Sequence, residues 1–187
     1  QWQKILLDAL NTSDKSSQQV INDVIAQVGE VLNADVAALY VKDKQGDLDC
    51  QYIWSKNQSM SAEEYVTEWQ RANMKFRSWQ NGQGSGKLVD KGYLVIDAKH
   101  MDEAAKKIMS GGPVKSFTAV PVYVNGNYGA VFVLANTSIN KLWTTEEIEF
   151  VKQTGDVLRS ALEKIESDDS VKRINSVLLD TYNYIDE

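Results

Sequence analysis

The chain is poor in the residues that most chemistry needs. Of its 187 residues, one is cysteine (Cys50), one is histidine (His100) and two are proline. A lone cysteine forms no intrachain disulfide and cannot anchor a zinc site without several other ligands, so the expected setting is a reducing cytoplasm. A lone histidine leaves one candidate for any Ser-His-Asp or Cys-His pair, and nothing with supporting spacing accompanies it. His100 and Glu103 alone do not make a metal or haem site, and no metal is assigned. No apolar run approaches the roughly 18 residues that a membrane span requires, and no signal peptide is visible. Positive charge is also short: 20 Lys and Arg face 26 Asp and Glu, a net charge of −6. Such a surface repels a phosphate backbone and an anionic membrane face, so neither nucleic acid nor a membrane is expected as a partner. The chain begins at Gln1, as expected of a piece cut from a longer protein.

What is present is a mixed globular composition with 43% hydrophobic residues, enough for a core of one domain. Trp2, Ile5, Leu6, Ala9 and Leu10 share one face of a predicted first helix. Val20, Ile21, Val24, Val28, Val31 and Leu32 stripe a second, expected to be capped by Ser13 or Asp14 and closed at Asn33. The period then turns to strand at residues 35–42. After a turn at Asp43–Gly46, alternation over 47–54 puts Leu48, Cys50, Tyr52 and Trp54 on one face of a hairpin partner. Ser61 with Glu64 predicts a further helix start carrying Tyr65, Trp69, Ala72 and Phe76. Asn81–Gly86 reads as a glycine-rich loop. It fails as a phosphate loop because Asn81 stands where the first glycine belongs and Leu88 where Ser or Thr must follow Lys87. A short strand at Tyr93–Asp97 and a short helix at Met101–Met109 follow, the latter stopped by Gly111 and Gly112.

The clearest segment is a pair of β-rich runs, 114–124 and 127–135, joined by Asn125-Gly126, the strongest short hairpin signal. Thr144 or Thr145 caps a long helix with acidic residues in its first turn. Val151, Gly155, Leu158, Leu162 and Ile165 repeat there at heptad spacing, which suits either packing on the domain's own sheet or a dimer seam. Polar Glu166–Ser170 interrupts that stripe. A second helical pattern, Val171, Ile174, Leu178, Tyr182 and Ile185, has nothing left to cover within the chain.

The run Ser116–Leu134 resembles a GAF domain. The matching features are the small residue Ser116, the strand Val120-Pro121-Val122, the turn Asn125-Gly126, then Tyr128-Gly129-Ala130-Val131, Trp143, and Glu146-Glu147 at a helix start. The strand Ala34–Val41 after a long helix also fits. The likeness covers about residues 15–165, with 55–113 matching in layout only. It implies an α+β fold with a central antiparallel sheet flanked by helices. It divides the chain into an N-terminal helix and linker (1–14), a sensor domain (15–165) and a signalling helix (166–187) leading to a further domain.

The resemblance implies a cytoplasmic, non-catalytic signalling module that binds an unidentified small molecule and pairs with a second copy through its terminal helices. The alternative is a module that dimerises and relays without a ligand. A pocket formed by strand, loop and short helix would be lined by Tyr52, Trp54, Trp69, Trp79, Tyr93 and Phe117, with Asp97 and Thr118 orienting the ligand. The same aromatic spacing equally suits plain core. No cofactor is assigned. Relatives that attach a bilin do so through a cysteine, and Cys50 sits on an early strand. Asn140-Lys141 and Glu146-Glu147 only echo the motif of cyclic-nucleotide-binding relatives.

Overall fold

The computed structural model describes residues 2–11, 14–57, 64, 71, 85–109 and 113–186. In chain order the elements are α1 (Trp2–Leu10), α2 (Ser17–Val31), β1 (Val36–Lys42), β2 (Leu48–Ser55), α3 (Ser85–Lys91), β3 (Leu94–Ile96), α4 (Glu103–Met109), β4 (Ser116–Val124), β5 (Asn127–Asn136) and α5 (Thr145–Asp186). The strands form one five-stranded sheet in the order β2-β1-β5-β4-β3. Each neighbouring pair is antiparallel. The expected α+β architecture is therefore the observed one.

Both faces of the sheet are buried, which is why β1 and β5 read as nearly continuous apolar runs. The first face carries Ala37, Leu39, Val120, Val122, Ala130, Phe132 and Leu134 against α1, α2 and the first half of α5. The second carries Val36, Ala38, Tyr40, Phe117, Val131 and Val133 against Leu88 of α3 and Ala105 of α4. Side chains such as Leu39, Phe132 and Leu158 are fully buried, and each contributes about 1.5–3 kcal/mol through removal from water.

The turn between β4 and β5 has Asn125 at φ 51° and Gly126 at φ 81°. Two successive positive φ values match the right-handed twist of the strands it joins. The tip is fastened to α5: the Asn125 N–H donates to Glu163 (2.8 Å) and its side-chain amide to Glu166 (3.0 Å).

Several expectations need correction. The cap of α2 is Ser16, whose hydroxyl accepts from the Gln19 N–H, rather than Ser13 or Asp14. Leu48, Cys50, Tyr52 and Trp54 do not share a face. The β1–β2 register slips between Leu39 and Tyr40, which pair with Tyr52 and Cys50, leaving Gln51 as an extra residue. Such a bulge reverses the alternation, so Leu48 and Cys50 join the second core while Tyr52 and Trp54 pack on the first. Ser85 and Gly86, read as loop, begin α3. That helix ends where the Gly92 N–H bonds the Leu88 carbonyl and Gly92 adopts φ 76°, the left-handed conformation that terminates helices. The predicted helix at Ser61–Phe76 falls almost wholly outside the described residues.

The polar break at Glu166–Ser170 does not end a helix. α5 runs unbroken for 42 residues, about 60 Å at roughly 1.5 Å per residue. Its heptad stripe packs on the domain's own sheet: Val151 and Leu158 are wholly buried, and a Cβ on Gly155 would touch Val120 at 3.5 Å. Val171 lies six positions beyond Ile165, about 600° of rotation at ~100° per residue, so the second stripe lies on a different side. Val171, Ile174, Val177, Leu178, Leu179 and Tyr182 are each more than half exposed.

Candidate functional site

The residues selected for a pocket do not converge on one place. Phe117 belongs to the second face. Tyr52, Trp54 and Tyr93 pack against the first. Trp69 and Trp79 lie outside the described residues. The Trp54 ring is spent on a close approach to α2, since a Cβ on Gly29 would come within 2.5 Å of it. Tyr52 borders an open groove of about 400 Å³ where α5 leaves the sheet, with Val41, Val124, Leu162, Ile165 and Glu166. Tyr93 lies beneath Lys152, whose ammonium is 4.9 Å from the ring centre. Thr118 is fully buried and donates its hydroxyl to the Leu94 carbonyl at 3.1 Å, a tie between β3 and β4.

Asp97 has the richest surroundings. It follows β3, in which Ile96 pairs with Phe117 of β4, and only 1% of it is exposed. Its Oδ1 accepts from the N–H groups of Lys99 and His100 (3.0 Å each) and lies 2.8 Å from His100 Nδ1. Its Oδ2 accepts from the Trp143 N–H at 3.2 Å. Burial opposes the charge, but the hydrogen bonds from His100, Trp143 and Lys99 outweigh it and hold the carboxyl below its usual range. An ionised carboxylate only accepts, so His100 Nδ1 carries the hydrogen of that contact.

Trp143 leads into the root of α5, where three elements meet. Thr144 and Glu147 form a reciprocal cap: the Glu147 N–H bonds the Thr144 hydroxyl at 3.1 Å, and the Glu147 carboxylate accepts the Thr144 N–H at 3.0 Å. Lys141 pairs with Glu147 at 2.6 Å, both side chains being mostly buried. It also donates to the Leu32 carbonyl at the end of α2 and lies 4.5 Å from the centre of the Trp143 ring. Asp35 fastens the neighbouring segment by accepting the N–H groups of Thr137 and Ser138 and the Ser138 hydroxyl. Burial disfavours the Asp35 charge, yet these bonds lower its pKa.

The ties from Asp35 and from Lys141 to Leu32 link positions about a hundred residues apart, and Asp97 reaches Trp143 across 46, so sequence reading missed them. One signal was legible: Thr144 as a cap with acidic residues in the first turn that follows it.

Burial, with Asp49 adding to it, pushes the Cys50 thiol up to about 12. It is therefore protonated at neutral pH and a poor nucleophile. Among the described residues no group of three or more His, Cys, Asp or Glu is placed to hold a metal ion. No described helix is long and apolar enough to cross a membrane.

The GAF domain family model matches residues 16–162, and the chain belongs to that family. Solved structures of similar fold include the phycoerythrobilin-bound GAF domain from a cyanobacterial phytochrome (TM-score 0.70, 13% identity, 90% of this chain and 98% of that one). The phycocyanobilin-bound GAF domain from a cyanobacterial phytochrome is alike at TM-score 0.68 and 14% identity, over 88% of this chain and 94% of that one. The GAF domain from a phosphoenolpyruvate-protein phosphotransferase of Coxiella burnetii matches at TM-score 0.65 and 15% identity, over 90% of this chain and 96% of that one. At such identities the likeness is one of fold. A comparison with curated protein sequences finds no match.

Proposed function

We propose that the chain is a regulatory sensor domain that binds a small molecule and passes the event through α5 to an output domain. The observation that carries this reading is the construction of α5. Its first half is part of the domain core, and its second half extends as an apolar-striped arm with no cover among the described residues. A helix rooted in the body and free at its far end converts a change inside the body into motion outside it, provided a ligand favours one arrangement.

The ligand face in this reading is the second one. Tyr40, Phe117, Val131 and Val133 offer an apolar floor, and α3 and α4 cover it. Because Cys50 is protonated and buried, the ligand is held without a covalent bond to the thiol. Trp69 and Trp79 keep their proposed pocket roles. Asp97 and Thr118 then act by shaping the β3 edge instead of reaching the ligand. The arm's occupant in this reading is the same arm of a second copy, since its stripe is turned from the side that packs on the domain's own sheet.

Native mass spectrometry of the protein purified from its own cells tests ligand binding. A retained small molecule is expected, and a bare chain mass under gentle ionisation would instead favour a ligand-free relay. Truncation after Ile165 tests pairing. It should lower the association constant in sedimentation, and an unchanged profile would remove the second copy from the scheme.

A further inference from the structure

Asp97 spans two parts of the molecule with its two oxygens. Oδ1 gathers the turn that leads into α4, through Lys99 and His100. Oδ2 holds the peptide N–H of Trp143, one residue before the cap of α5. We propose that Asp97 is the positioning residue through which a displacement of the β3–α4 segment, part of the cover of the second face, reaches the root of α5. The inference rests on reading the chain as a transmitting domain.

A carboxylate is planar and rigid, so a shift of the atoms on one oxygen changes the geometry offered at the other. Water does not compete, since Asp97 is buried, and charge-assisted bonds in such a site are strong. Ser116 and Asn136 are cross-strand partners and buried. Among the described residues Ser116 Oγ, Asn136 Oδ1 and Trp143 Nε1 have no hydrogen-bond partner. The Trp143 indole is thus placed by packing and by Lys141 beside its ring, while its backbone is tied through Asp97.

The groups on both oxygens of Asp97 are donors, which makes Asp97→Asn a sharp probe. The amide keeps the shape but turns an NH2 toward one set of N–H groups, severing one tie and keeping the other. Hydrogen exchange at the Trp143 amide and the first turn of α5 is the readout, with His100→Ala as the remote perturbation from the exposed end. His100→Ala should speed Trp143 exchange by about threefold or more, the scale of one net hydrogen bond. It should add nothing further in an Asp97→Asn background, because the path is already cut. Additive effects of the two substitutions would overturn the proposal. So would a response confined to Lys99 and His100 with the Trp143 amide unmoved. If Asp97→Asn does not fold, His100→Ala decides alone, since removing a half-exposed ring does not empty the core. The measurement uses no ligand, so its failure removes this route and leaves the mass-spectrometric test of binding intact.

Discussion

The two halves of α5 share one backbone and differ in what surrounds them. From Thr145 to Ile165 the helix buries Phe150, Val151, Leu158 and Leu162 against the sheet. From Glu166 to Asp186 it leaves Val171, Ile174, Leu178 and Tyr182 exposed. Helical hydrogen bonding is the same in both, so helix formation is not what separates them. The difference is tertiary cover: a stripe facing the sheet stabilises the monomer, and a stripe turned away from it does not until another surface arrives.

The sharpest way to break this comparison is a matched pair of truncations. Leu158→Ala should cost about 2–5 kcal/mol in denaturant unfolding, as expected for a cavity in a packed core. A loss under ~1 kcal/mol would mean that the first half is not core. Gly29→Ala extends the comparison to α2. It drives a methyl into the Trp54 ring and should cost about 1–3 kcal/mol by overpacking, read as a lowered midpoint. A neutral result would show that the ring moves aside freely.

A titration probes the root that the buried half stands on. Asp97 and Asp35 have folded-state pKa values below their ordinary ones. Their contribution is therefore complete above the unfolded carboxylate pKa of about 3.9 and is lost as pH falls through the lowered folded values. Unfolding followed against pH should steepen in that acid window, and Asp97→Asn should flatten it. Thr144→Ala removes one half of the reciprocal cap and should cost about 1 kcal/mol. Leu178→Ala, chemically the same change as Leu158→Ala, should move monomer stability by no more than ~0.5 kcal/mol. Its effect should fall on self-association, read by sedimentation.

The parts legible in the sequence are those set by local rules. Asn125-Gly126 marks a hairpin because few other residue pairs accept two positive φ values. The Trp2–Leu10 and Val20–Leu32 stripes mark helices because burial follows the 3.6-residue period. Errors arose where a local rule was broken by something distant. Alternation over 47–54 assumes an even count, and Gln51 makes it odd. The polar run at Glu166–Ser170 ends burial but not hydrogen bonding, so the two stripes that read as separate patterns lie on one helix. α3 was hidden by the glycines before it. Asp97 stood out at the end of a strand, but its use depends on Trp143, 46 positions away, and nothing local encodes that meeting.

The fastening of Asn125 to Glu163 and Glu166 has a mechanical consequence. It pins α5 at the hairpin tip, beyond which about 20 residues, roughly 30 Å, extend with exposed side chains. Over that radius a tilt of about 5° carries the far end through nearly 3 Å, roughly half of one helical pitch. In the transmitting role proposed above, an internal shift too small to alter the packing of the body would thereby be magnified at the far end of the helix.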